Sequence, residues 1–187
     1  MAKTSVVVRT QWLARKRAKR ADVSGMPAPA ALPRHELKQR SGLDLLREVV
    51  TGTLPAGPMN NTLDFFLAEI EPGRAVYEGN PRAEFFNLIG SVHGGWSAAI
   101  LDSCVASAIH SVLPVGKGYT TVELKVNFVR AVTAECGPLR AEGKVINIGG
   151  RIGTAEGRLT DSAGRLYAHA TTTCLFFDMS ERKRDRG

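Results

Sequence analysis

Between residues 93 and 113 the apolar side chains leave no polar face. Trp96, Ala98, Ala99, Ile100, Leu101, Val105, Ala106, Ala108, Ile109, Val112 and Leu113 point to nearly every side of a helix. Asp102 is the only acid or base in that run apart from His93 and His110. A helix apolar all round is a buried helix. Burying it requires other elements to wrap it, and Pro114 and Gly116 stop it.

The downstream segments supply the wrapping. In Thr121 to Phe128 every even position is apolar and every odd one polar, the pattern of a half-buried antiparallel strand. Leu139–Ile148, Thr154–Thr160 and Leu166–Phe177 continue the series, with turn residues at Gly149-Gly150 and at Ser162 to Gly164. Upstream, Ser41 to Val50 reads as a short amphipathic helix closed by Gly52. Residues 54–61 read as a loop. Leu63–Ile70 and Arg74–Glu78 read as a hairpin about Pro72-Gly73. The order is helix, two strands, long buried helix, four strands. That is an α+β chain of the hotdog arrangement, a curved antiparallel sheet wrapped around a long central helix.

The net charge of +7 is unevenly placed. Residues 1–40 carry ten Lys/Arg against two acids, Asp22 and Glu36, whereas residues 41–178 carry eleven against fourteen. The basicity belongs to the ends, so nucleic acid is not the expected partner of the body. The expected organisation is a basic N-terminal extension over 1–40, a domain over 41–178 and a charged C-terminal tail over 179–187. No apolar run reaches the ~18–20 residues that span a bilayer. The acid-poor start up to Asp22 is similar to an organelle transit peptide. Three separated cysteines, Cys104, Cys136 and Cys174, fit neither a disulfide framework nor a zinc site, and favour a reducing, cytoplasmic setting.

The chemistry gathers at the start of the buried helix. His93-Gly94-Gly95 opens it, where unpartnered N–H groups and the positive end of the helix dipole meet. Glycine lets a substrate approach that backbone, so a carbonyl oxygen could be polarised there. A pair of glycines packed at a helix start accounts for the same residues equally well. Asp102 lies two turns on, and a carboxylate on an apolar helix needs a partner or a purpose. A hydrogen bond to Ser103 or Ser107 would be a partner; proton abstraction would be a purpose. Gly94 and Asp102 are eight residues apart, about 12 Å along one helix. One helix cannot bring both to one carbonyl. Two antiparallel copies side by side in a dimer can, which places active sites across a two-fold interface.

The run Asn87 to Asp102 resembles the PaaI-like hotdog thioesterases, whose pattern is Asn-x-x-Gly-x-x-His-Gly-Gly followed seven positions later by Asp. Asn87, Gly90, His93, Gly94, Gly95 and Asp102 match it, and the resemblance extends over about residues 42–177. It implies an acyl-CoA thioesterase that needs no cofactor and no metal. Asp102 would be nucleophile or general base. Gly94 would donate its N–H to the thioester carbonyl, Asn87 would orient the water or Asp102, and His93 would shape the loop or assist at the carbonyl. Asp102 would work opposite Gly94 and Asn87 of the other subunit in a dimer or tetramer. Thr121 stands where some relatives carry an assisting serine. Gly95, with Gly150 and Arg151 in a turn similar to one used near CoA phosphates, would bind substrate. Arg130-Ala131 departs from the Arg-Pro of many relatives. The acyl group would be small and aromatic or of medium length, with Trp96, Phe85 and Phe86 either lining an aryl pocket or packing. The rival reading is a non-catalytic acyl-CoA-binding sensor module.

Other residues fit less well. Cys104 shares the apolar helix and reads as an inert thiol. Residues 149–153 lack dinucleotide-binding spacing, and no Gly-x-Ser-x-Gly elbow is present.

Overall fold

A computed structural model describes residues 31–179. Residues 1–30 and 180–187 lie outside the described residues, and with them most of the basic extension and all but Met179 of the charged tail.

Among the described residues three short helices come first: α1 (Arg34–Leu37), α2 (Gly42–Thr51) and α3 (Pro58–Thr62). Ser41 caps α2 by accepting from the Asp44 N–H at 3.2 Å, and Gly52 ends it in the left-handed conformation. Helix α3 corrects the expectation of a loop over 54–61. Pro58 occupies the first turn, where its missing N–H costs nothing and its fixed φ suits a helix.

The sheet is built from β1 (Phe65–Glu71), β2 (Arg74–Gly79), β3 (Lys117–Phe128), β4 (Leu139–Ile148), β5 (Ile152–Asp161) and β6 (Leu166–Asp178). Every pairing is antiparallel, in the order β1-β2-β4-β5-β6-β3. Helix α4 (Gly94–His110) lies in its concave face. Ile100, Leu101, Cys104, Val105, Ala108 and Ile109 of α4 are fully buried, as are Ala75, Ala141, Ala155 and Leu159 of the sheet. The approach is close. A Cβ on Gly143 would stand 2.8 Å from the Cys104 carbonyl oxygen, so only glycine lets the helix nest there.

Two findings refine the sequence reading. Helix α4 is not buried all round. Ala98, Ala99, Asp102 and Ser103, spaced to share one side of the helix, are half-buried in the single chain. Strand β3 begins four residues earlier than its alternation suggests and is irregular between Thr121 and Glu123. Val122 is the extra residue of a β-bulge and is 56% exposed, although the alternating pattern assigns it to the buried side. Thr121, opposite the buried Cys174, faces the helix instead.

The convex face is polar. Arg74 donates to Glu69 (3.0 Å) and Glu142 (3.3 Å), Arg140 to Glu69 (3.0 Å) and Glu78 (3.3 Å), and Lys144 pairs with Glu142 at 3.0 Å. Hydrogen bonding from Arg140 holds the Glu69 carboxyl below its usual range.

Candidate active site

The segment before α4 is tied down by Asn87. Its Oδ1 accepts from the N–H groups of Ile89 (3.0 Å) and Ser91 (3.2 Å), and its Nδ2 donates to Ser91 Oγ at 2.9 Å. Gly90 turns the chain with φ +82°. The turn holds Leu88 and Ile89 out in solvent. The His93 N–H then donates to the Phe85 carbonyl at 2.8 Å and delivers the chain to the helix.

His93 caps α4 through its ring, Nδ1 accepting the Gly95 N–H at 2.9 Å, while its carbonyl accepts the Trp96 N–H at 2.9 Å. A ring that accepts at Nδ1 carries its proton on Nε2. The Gly95 and Trp96 donors are thus engaged within the chain. The Gly94 N–H has no acceptor among the described residues and points out of the first turn, at the positive end of the dipole. Beside it lies an aromatic ring that sequence reasoning does not single out. A Cβ on Gly94 would sit 3.2 Å from Cζ of Phe128. The alternation of β3 puts Phe128 on the inner face, but only the fold shows that it ends against Gly94.

Asp102 lies two turns along the half-buried side of α4, and its Oδ1 accepts from Thr121 Oγ1 at 3.1 Å. Thr121 comes from the strand that faces this part of the helix, and its hydroxyl stands 3.9 Å from Cys174 Sγ. No other described group bonds the Asp102 carboxylate. In one chain Asp102 and Thr121 therefore come together, His93, Gly94 and Gly95 stand at the helix start, and Asn87 holds the turn that leads to it. Gly150 and Arg151 turn the chain between β4 and β5. The ladder runs Thr121 to Cys174 to Gly153, so this turn lies two strands from Thr121, about 10 Å across the sheet. The Arg151 guanidinium makes no ion pair with a described residue.

Several alternatives are settled by packing. Cys104 donates to the carbonyls of Ala141 (3.1 Å) and Ala75 (3.4 Å), and burial pushes its pKa up, so it stays a thiol. Burial pushes His110 down to about 4, and its ring packs 5.0 Å from that of Tyr119. Trp96 is 3% exposed, meets Phe65 edge-on and donates to the Leu63 carbonyl at 2.8 Å; it packs the core and lines no aryl pocket. A depression of about 220 Å³ lined by Arg140, Glu142, Lys144, Glu156, Arg158 and Thr160 lies on the convex face, away from α4. Among the described residues no three His, Cys, Asp or Glu side chains gather as metal ligands would, and no helix is long and apolar enough to cross a membrane.

A long helix enclosed by a six-stranded antiparallel sheet, with an open N–H at its start and a carboxylate two turns on, has the hotdog fold. Known proteins agree. Residues 89–168 match the thioesterase superfamily. A protein named as an esterase in Saccharolobus solfataricus is 33% identical over 108 residues, 58% of this chain and 75% of that one. Among solved structures, a phenylacetic acid degradation-related protein of Ralstonia eutropha JMP134, described as a thioesterase, superposes with a TM-score of 0.64 and 26% identity. The match covers 70% of this chain and 98% of that one. A mutant of the phenylacetic acid degradation protein PaaI of Thermus thermophilus gives 0.58 and 27%, covering 63% and 97%. The chain belongs to the thioesterase superfamily, and within it to the PaaI-like hotdog enzymes that hydrolyse thioesters.

Proposed function

We propose that the protein hydrolyses an acyl-CoA thioester to the free acid and CoA, in sites shared between two subunits related by a two-fold axis. The observation that carries this is the separation of the two clusters. The open Gly94 N–H and the Thr121-held Asp102 lie about 12 Å apart on one helix, too far to act on one carbonyl. A second copy with its helix antiparallel brings Gly94 of one subunit to Asp102 of the other. The half-buried side of α4 and the outer edge of β3, which no described strand pairs, support that association.

The Gly94 N–H donates to the thioester oxygen and stabilises the oxyanion that forms. A water, deprotonated by Asp102, adds to the carbonyl carbon. The tetrahedral intermediate collapses with cleavage of the C–S bond, and the proton held by Asp102 passes to the departing CoA sulfur. Direct attack by Asp102 would give an anhydride that water then hydrolyses, with the same products. Thr121 fixes the rotamer of Asp102. Asn87 shapes the turn that presents Gly94, and His93 offers Nε2–H to the site's edge. Gly95 beside Gly94 would bind substrate, and Arg151, with Gly150, would meet the CoA phosphates, guanidinium being suited to phosphate. The acyl group is a small aromatic or medium-chain one. The chemistry uses no metal and no prosthetic group. Free thiols at Cys104, Cys136 and Cys174 support a reducing, cytoplasmic setting.

The test is thiol release from short, medium, long and arylacetyl CoA thioesters by wild type and Asp102→Asn. Turnover of some member, abolished in the variant with its fold intact, is the expected result. Tight binding of acyl-CoA without turnover by wild type would make the protein a sensor.

A further inference from the structure

The ring of Phe128 is the closest side-chain neighbour of the position that a Gly94 Cβ would take. Cζ, Cε1 and Cε2 lie 3.2, 3.3 and 3.7 Å from it. The ring is nevertheless 58% exposed, whereas Leu124 and Val126, earlier on the same inner row of β3, pack against the core. It is also firmly placed. The N–H groups of Val129 and Arg130, directly after it, both donate to the Tyr167 carbonyl, at 2.8 and 3.1 Å, which anchors the end of the strand. An apolar ring is therefore held in the open beside a backbone donor that has no acceptor among the described residues.

A carbonyl oxygen bound to that donor sits about 3 Å from the Gly94 nitrogen. The ring beside Gly94 would then be within reach of the first atoms of the acyl group. We infer that Phe128 is the specificity-determining residue of the site, admitting an acyl group with an unbranched, uncharged methylene next to the carbonyl and rejecting branched or anionic ones. Apolar carbon against the ring removes both surfaces from water, which favours binding. An α-branch would meet a ring that leaves no free space for even a Cβ on Gly94. A carboxylate close to the carbonyl would lose water against the negative face of the ring. Straight-chain and arylmethyl acyl groups both satisfy the rule; benzoyl and isobutyryl groups fail it at the carbon next to the carbonyl, and a succinyl group, whose first methylene is unbranched, fails it through its carboxylate. This inference rests on the proposed role of Gly94 and deepens it.

The test compares wild type, Phe128→Ala, Phe128→Leu and Phe128→Trp on butyryl-, isobutyryl-, succinyl- and phenylacetyl-CoA. Both kcat/KM and the calorimetric Kd of each thioester are measured, and the Tm of each protein is recorded. Wild type favours butyryl over isobutyryl at least tenfold. Phe128→Ala reduces that ratio at least tenfold, Phe128→Leu reduces it less, and Phe128→Trp sharpens it. A uniform fall across all four thioesters, or unchanged ratios, overturns the inference, because a ring that only supports the fold would not discriminate among substrates. If wild type turns over none of them, the proposed hydrolysis fails, and the same ratios read in Kd still decide the role of Phe128.

Discussion

The two ends of α4 are treated differently by the rest of the chain. At the C-terminal end the polar groups are engaged. Ser111 Oγ donates to the Ala108 carbonyl (2.7 Å) and accepts the Gly73 N–H (2.8 Å), and the Leu113 carbonyl accepts the Gly42 N–H. Gly42 is pressed against the carbonyl of His110, whose ring packs on Tyr119. At the N-terminal end a backbone donor is open, the His93 ring is exposed, and Leu88 and Ile89 are 106% and 88% exposed. The helix is fixed at one end so that the other can stay unsatisfied. Stability should therefore respond to changes at the sealed end and turnover to changes along the open side.

The sharpest separation is expected from Asp102→Asn. Loss of the carboxylate proposed as base or nucleophile should cost about 10³-fold in kcat, and the Tm should move little because the residue is half-buried and keeps a group that Thr121 can bond. Gly42→Ala should do the reverse. Its Cβ would strike the His110 backbone oxygen, which cannot swing away, so denaturant titration should show a loss of about 3 kcal/mol. Unchanged kcat per folded molecule would confirm that the ends are separate, whereas an equal loss of kcat would break the comparison.

Acid provides a second probe of the sealed end. The folded pKa of His110 is pushed down to about 4, below the ~6.5 of an exposed histidine. Between those values the unfolded chain binds a proton that the folded chain does not, so stability falls as pH drops from about 6.5 to about 4, by up to about 3 kcal/mol. A His110→Gln variant should show a flatter profile over that window in pH-dependent melts. On the open side, Thr121→Val removes one hydrogen bond to a charged group, and kcat should fall about 10–100-fold with KM nearly constant. The smallest effect is expected far from both ends. Breaking the exposed Lys144–Glu142 pair by Lys144→Met should cost at most about 1 kcal/mol and leave kinetics unchanged.

How much of this is legible in the sequence depends on what each residue relies on. The buried helix, its start at His93-Gly94 and the hairpin about Gly73 rely on neighbours a few positions away, and all are readable. Helix α3 is hidden because the Pro/Gly/Asn content of residues 54–61 outweighs the helix-starting role of Pro58. The bond between Asp102 and Thr121 joins residues nineteen apart. The pattern of the helix alone points to Ser103 or Ser107 as partners, and only the resemblance draws attention to Thr121. Phe128 can be assigned a face by alternation, but its place beside Gly94 depends on how β3 crosses the start of α4, which no local pattern encodes. The half-buried side of α4 reads as core because Ala98 and Ala99 look, in sequence, like any other core residues.

The bulge at Val122 has a consequence for how such a chain can change its length. In an unbroken strand, residues 121 and 128 differ in parity and would lie on opposite faces. The extra residue shifts the phase once, so the hydroxyl on Asp102 and the ring on Gly94 share a face. Deleting one residue anywhere between them would restore even spacing only by losing the bulge, or would keep the bulge and turn one of the two outward. The spacing of Thr121 and Phe128 is thus fixed as a unit: substitutions that keep Leu124 and Val126 apolar leave it standing, whereas a change of length does not.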